Sequence, residues 1–79
     1  MLGTDSFPSL IGQVNVGYKV IAQKPYTPFD PHLTVVIAYR ESDDKYVVWT
    51  YNSDTEGYCN GEYTTVYTEA HKAFTNRGN

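Results

Sequence analysis

A four-residue polar turn at residues 41–44 is the sequence feature that most limits how this chain folds. It separates two runs of β-branched and aromatic residues, Leu33–Arg40 and 45–51, each of which has the length of a strand. Parallel strands need a crossover of about a dozen residues or more, so a connection this short joins its strands as an antiparallel hairpin. The sequence therefore predicts a hairpin at the centre of the fold.

Two flanking segments extend this hairpin into a sheet. Residues 14–23 alternate in polarity, which predicts a strand with one set of side chains on the same face: Val16, Tyr18, Val20 and Ala22. Residues 58–64 predict a further strand, and Gly61 inside it indicates a bulge or the close approach of another group. The short polar turns between these segments predict an antiparallel meander of four strands.

The C-terminal residues change to a helical period. Apolar and long side chains recur at helical spacing over residues 65–77, at Val66, Ala70, Ala73, Phe74 and Arg77. Thr65 is the expected N-cap, and Gly78 follows the expected end of the helix. We predict one α+β domain over residues 1–79: an irregular arm at 1–13, a four-stranded antiparallel sheet at 14–64, and a helix at 65–77 packed on one face.

Three prolines interrupt the chain between the first two predicted strands. Pro25, Pro28 and Pro31 stand three residues apart, and proline has no backbone N–H to donate to a sheet. The segment is expected to be a stiff crossover. The same spacing matches the three-residue period of polyproline II, so a docking role for the prolines is the alternative.

Most of the chain resembles a family of small uncharacterised proteins from Gram-positive bacteria and their phages. The motifs that carry the resemblance lie in order: Tyr46-Val47-Val48-Trp49-Thr50-Tyr51-Asn52, Gly57-Tyr58, Gly61-Glu62-Tyr63, and then Ala70 and Phe74. The resemblance covers about residues 17–77. It implies a fold and a phage-linked origin, and it implies no catalytic residue.

Charge and composition exclude several classes of protein. The chain of 79 residues has 6 basic against 9 acidic residues, a net charge of −3, which is the wrong sign for non-specific binding to nucleic acid or to an anionic membrane. A single cysteine, Cys59, excludes an internal disulfide. The longest apolar run, residues 35–39, is too short to span a bilayer. We therefore expect a soluble, cytoplasmic protein.

Few residues could carry catalytic or metal chemistry. Cys59 and His71 form one possible nucleophile–base pair, and His32 with Asp30 is one possible start of a metal site. Nothing in their spacing requires either pair to meet. We predict no catalytic residue, no metal and no cofactor, with Cys59 as an ordinary strand thiol.

The surplus of aromatic residues is the basis for a hypothesis about the function. There are eight tyrosines, and the central strands are apolar on both faces, which one short helix cannot cover. Exposed apolar surface of this kind is typical of an interface. We predict a non-enzymatic protein-binding module that belongs to a phage or mobile element, binds a partner protein and forms a homodimer. Its interface would consist of aromatic residues and an acidic rim: Trp49, Tyr51, Tyr58, Tyr63, Asp43, Asp44, Asp54 and Glu56.

A small-molecule or nucleotide site on the same aromatic face is the alternative function. In that case Gly61 would allow a ligand to approach the strand closely.

Overall fold

The structure, a computed structural model, describes residues 9–78. Its elements are strands β1 (Val14–Asn15), β2 (Tyr18–Pro25), β3 (Leu33–Arg40), β4 (Lys45–Asn52) and β5 (Gly57–Thr64), followed by helix α1 (Tyr67–Asn76). The strands form one antiparallel sheet in the order β1-β2-β3-β4-β5. The predicted antiparallel meander with a C-terminal helix is confirmed, but the sheet has five strands where four were expected.

The extra strand arises because residues 14–23 contain a tight turn that the alternating pattern conceals. Asn15 pairs with Tyr18, and both residues between them have positive φ, 46° at Val16 and 84° at Gly17. Positive φ at both central residues is the signature of a type I′ turn, the usual two-residue connection of a hairpin. Valine disfavours this conformation, so Val16 is not a residue from which a turn is predicted.

A β-bulge in β2 corrects a second expectation. Val20 pairs with Ala38 but Ala22 pairs with Ile37, which leaves Ile21 as an extra residue. The extra residue reverses the alternation. Val20 therefore packs on one face of the sheet, whereas Ala22 packs on the opposite face instead of beside it.

The sheet separates two hydrophobic clusters. On the helix-bearing face, Val35, Ile37 and Val48 pack against Ala70, with Ala73 and Phe74 of α1 around them. The opposite side, called here the aromatic face, buries seven residues: Leu10, Tyr18, Val20, Val36, Ala38, Val47 and Trp49. Leu10 belongs to the predicted N-terminal arm, whose residues 1–8 lie outside the described part of the chain.

Helix α1 is shorter than the predicted 65–77 and begins differently. Val66 is the N-cap, not Thr65, and it provides no side-chain hydrogen bond to the first turn. Its own N–H donates to the Thr64 hydroxyl oxygen at 3.1 Å. At the other end, the Lys24 ammonium donates to the Thr75 carbonyl at 2.7 Å, where a cation complements the helix dipole. Gly78 follows α1 with a φ of 86°.

Replacing Val16 with asparagine should stabilise the protein, because Asn-Gly is the preferred pair for a type I′ turn. Val16 is 71% exposed and loses little packing, so the expected gain is relief of left-handed strain, about 1 kcal/mol in the free energy of unfolding. Urea denaturation measures it. Val14→Asn is the matched control, since Val14 is equally exposed at 66% but lies in β1 without positive φ. An equal gain in both variants would contradict the turn assignment.

Val66→Ser should also stabilise the fold, by giving α1 the side-chain cap that it lacks. Val66 already has the extended backbone of a cap residue, with φ −107° and ψ 115°. We expect about 1 kcal/mol in the free energy of unfolding, measured by urea denaturation. Val66→Ala removes the same exposed side chain without adding an acceptor. It should give no such gain if capping is the cause.

Candidate functional site

The structure brings the four predicted interface aromatics together on the aromatic face. Ring centroids lie 4.9 Å apart for Tyr51 and Tyr58, 5.1 Å for Trp49 and Tyr58, and 6.4 Å for Trp49 and Tyr63. Their exposure differs widely. Trp49 is 4% exposed and belongs to the core, while Tyr63 is 56% exposed. Only the edge of this cluster is therefore open to a partner.

Trp49 is buried because a second bulge shapes β5 around it. Val48 pairs with Glu62 and Thr50 with Cys59, so β5 has one extra residue opposite Trp49. Asn60 takes up this residue with a φ of 57°. A Cβ on Gly61 would lie 2.9 Å from the Trp49 indole nitrogen, so the glycine gives the indole its place. The group that approaches Gly61 closely is thus the Trp49 indole of this chain, at the position where the alternative function would place a ligand.

Within residues 9–78, the Tyr58 hydroxyl group lacks the hydrogen bond that a buried polar group normally forms. Its oxygen is buried and has no hydrogen-bond partner among the described residues. Burial raises the pKa of this hydroxyl, and the neighbouring Tyr51 adds to the effect. A buried hydroxyl without a partner carries a desolvation cost, which a ligand atom or a water would offset.

The two acidic turns lie at opposite ends of β4, as expected, and they differ in their contacts. Asp43 accepts two hydrogen bonds from the Arg40 guanidinium, at 2.7 and 2.9 Å, and these hydrogen bonds hold the pKa of Asp43 below its usual value. Asp44 accepts a hydrogen bond from the Tyr39 hydroxyl, which raises the pKa of Tyr39 to about 12. Asp54 and Glu56 are exposed in the other turn.

Cys59 and the histidines are held in structural contacts. The Cys59 thiol donates to the Thr50 carbonyl at 3.4 Å. His71 stacks between Tyr67 and Phe74 on α1, with centroid distances of 5.8 and 6.4 Å. The His32 imidazole lies 4.0 Å from the Asp30 carboxylate. Within residues 9–78, no three side chains of His, Cys, Asp or Glu lie close enough together to hold a metal ion.

The proline segment contains a functional candidate that sequence reasoning missed. It folds as two successive turns: the Asp30 N–H donates to the Thr27 carbonyl, and the Leu33 N–H donates to the Asp30 carbonyl at 3.0 Å. Pro28 and Pro31 each occupy the second position of their turn, which proline favours. Phe29 lies at the tip and is 88% exposed, more than any other large apolar side chain described.

The signal for these turns was present in the sequence. Thr27-Pro28-Phe29-Asp30 is a turn pattern with proline at its second position and Thr27 at its first. The Thr27 hydroxyl oxygen accepts a hydrogen bond from the Phe29 N–H at 3.0 Å, which fixes the tip. The three-residue spacing of the prolines also fits polyproline II, and this regularity conceals the turn pattern.

A second surface feature is a groove between β5 and α1. One part, about 390 Å³, is lined by charged and polar side chains towards the end of the helix: Glu62, Glu69, Lys72, Asn76 and Arg77, with Ala73. An adjoining part, about 320 Å³, lies beside residues 62–64 and is floored by Ala70 and Ala73. The Arg77 guanidinium bridges helix and sheet, at 2.6 Å from the Glu62 carboxylate and 3.3 Å from the Thr50 hydroxyl.

Comparison of the chain with models of protein families, with curated proteins and with solved structures finds no match. No helix in residues 9–78 is both long enough and apolar enough to cross a membrane.

Gly61→Ala should destabilise the fold. The added methyl group would lie 2.9 Å from both the Trp49 indole and the Tyr63 ring. The exposed Tyr63 ring can turn away, but the Trp49 indole is buried and cannot shift without disturbing the aromatic face. We expect a loss of about 1–3 kcal/mol in the free energy of unfolding, together with a shift in the fluorescence of the single tryptophan.

Gly57→Ala is the matched control in the same strand. Its Cβ would meet only the Thr55 hydroxyl oxygen, at 3.6 Å, an ordinary contact. Equal stability losses for the two variants would show that the bulge around Trp49 does not require a glycine.

Proposed function

We propose that this chain is a non-catalytic protein-binding module whose proline loop inserts Phe29 into an apolar pocket of another protein. The observation that carries the proposal is the 88% exposure of Phe29 at the tip of a loop fixed by two consecutive turns. Following the family resemblance, we assign the module to the accessory proteins of a phage or mobile element.

The loop supports this role because it is ordered before binding. Its base is fixed by the Tyr26 N–H, which donates to the Leu33 carbonyl at 3.1 Å, and by the Ser53 N–H, which donates to the His32 carbonyl at 2.9 Å. The prolines further restrict the backbone. A rigid loop loses little conformational entropy on binding, so most of the gain from burying Phe29, about 1.5–3 kcal/mol, contributes to affinity.

Residues beside Phe29 indicate the kind of pocket that would fit. Asp30 follows it directly, and its carboxylate is 46% exposed. An aromatic anchor next to a carboxylate suits an apolar pocket with a basic rim, and the net charge of −3 favours the approach of such a partner.

Phe29→Ser tests the proposal by separating binding from folding. Because Phe29 contributes little to the core, the variant should unfold at the urea concentration of the native chain. Tagged protein should capture a stoichiometric partner from lysate of the source cell, and this partner should be lost with Phe29→Ser. Ile11→Ser is the control, since it removes another exposed apolar side chain, 54% exposed, at a different surface. If all three proteins capture the same set, the loop is not the anchor.

One observation favours the alternative of a small-molecule site. The unpartnered Tyr58 hydroxyl lies beside Tyr51 and Trp49, where an aromatic ligand could stack and accept its hydrogen bond. A thermal-shift screen of nucleotides and aromatic metabolites distinguishes the two functions. A stabilising ligand whose effect is lost in Tyr58→Phe, which lacks only the hydroxyl, would favour the small-molecule site.

A further inference from the structure

The outer side of β5 is an open sheet edge. Within residues 9–78, β5 pairs only with β4. The opposite side of the sheet ends differently. There the Gly12 N–H donates to the Val20 carbonyl at 2.8 Å, the Val20 N–H donates to the Gln13 carbonyl at 2.9 Å, and the two-residue β1 follows. Beyond Val20, the outer side of β2 also pairs with no strand among the described residues, but β2 ends at Pro25, which has no N–H to donate. The β5 edge is the side of the described sheet that contains no proline, and a further strand can pair there.

The Asn60 bulge restricts where such a strand could pair. The left-handed backbone at Asn60 interrupts the regular ladder between Cys59 and Glu62. Regular pairing resumes at Glu62 and continues to Thr64. Residues 62–64 therefore form the part of β5 that has a regular edge. The bulge protects the rest of the strand against unspecific pairing.

The groove between β5 and α1 lies beside this same stretch. Glu62, Tyr63 and Thr64 line it on the sheet side, and Ala70 and Ala73 form its floor on the helix side. The small alanine side chains leave room for the side chains of an added strand. Tyr63 is 56% exposed and would meet the alternate side chains of that strand on the other face.

Charge indicates the chemistry of the occupant. Glu62 and Glu69 are the charged residues of the groove beside residues 62–64, and the cationic Lys72 and Arg77 line the part nearer the end of the helix. Glu62 is already paired with Arg77. Glu69 forms no ion pair with the other described residues, so it is available to a basic side chain.

We propose that an extended basic peptide of another protein adds to residues 62–64 as a sixth strand, with lysine or arginine towards Glu69 and apolar residues over Tyr63. Main-chain hydrogen bonds would provide the affinity, and the alternation of basic and apolar residues would provide the specificity. The site is distinct from the Phe29 loop, so each proposal can fail without the other.

A synthetic probe tests this directly: acetyl-Thr-Lys-Val-Lys-Val-Lys-Thr-amide, added to the ¹⁵N-labelled full chain. Binding should shift the amide resonances of Glu62, Tyr63 and Thr64, together with those of Ala70 and Ala73 on the floor of the groove. The same peptide with glutamate in place of lysine should bind about tenfold more weakly, since cross-strand charge pairs become repulsive.

Two N-methylated versions of the lysine peptide distinguish strand addition from simple charge attraction. In an added strand, alternate N–H groups point towards the sheet and the others point to solvent. Methylation of the lysine amides and methylation of the valine amides should therefore have opposite outcomes, with one peptide losing binding and the other retaining it. Equal binding by the two methylated peptides would overturn the proposal, and so would equal binding by the glutamate peptide or no shifts at residues 62–64.

A matched pair of variants checks the carboxylate. Glu69→Gln should weaken binding of the lysine peptide by about two- to fivefold, the range of an exposed ion pair. Asp54→Asn should leave it unchanged, because Asp54 lies in the turn at the end of β4 that is remote from residues 62–64. Sedimentation of the free chain identifies a competing occupant. Self-association that broadens the amide resonances of residues 62–64 would show that a second copy takes this edge and would overturn the peptide assignment.

Discussion

The central pair of strands, β3 and β4, is buried on both faces, and the rest of the structure depends on covering it. Val35 and Val48 face α1, while Val36 and Val47 face the other way, and all four are fully buried. Within residues 9–78, a single helix is present to cover two apolar faces. The second face is covered by large rings and by the arm: Leu10, Tyr18, Trp49, Tyr58 and Tyr63.

The tyrosine side chains explain how a domain with a thin core covers both faces of its sheet. The two faces receive four each, with Tyr18, Tyr51, Tyr58 and Tyr63 on the aromatic face and Tyr26, Tyr39, Tyr46 and Tyr67 on the helix-bearing face. A tyrosine ring can bury apolar area while its hydroxyl reaches solvent or a polar neighbour. The Tyr39 hydroxyl, for example, donates to Asp44 at the rim of the sheet. The tyrosine surplus that the sequence suggested for an interface thus serves the core first.

Sequence patterns predicted the fold correctly where local preferences and tertiary packing agree. The hairpin at residues 41–44 and the β-branched and aromatic runs on either side of it predicted strand order and direction, because short connections between strands allow few alternatives. They failed where a residue departs from its usual preference. Val16 adopts a left-handed turn, and the bulge at Ile21 moves Ala22 to the other face. The four aromatics of the predicted interface share one face of the sheet, but the burial of Trp49 depends on a bulge whose position only Gly61 indicated.

The distribution of charge separates the internal contacts from the surfaces left for partners. Arg40 and Lys45 lie against Asp43, Arg77 is bound to Glu62, and Lys24 caps the end of α1, so four of the six basic residues are held within the fold. Among the described carboxylates without such a partner, Glu41 and Asp54 lie in the two turns that flank β4, whereas Glu56 precedes β5 and Glu69 lies beside it. The last two flank the open edge of the sheet. An approaching basic segment would be steered towards the strand that still has main-chain groups to pair.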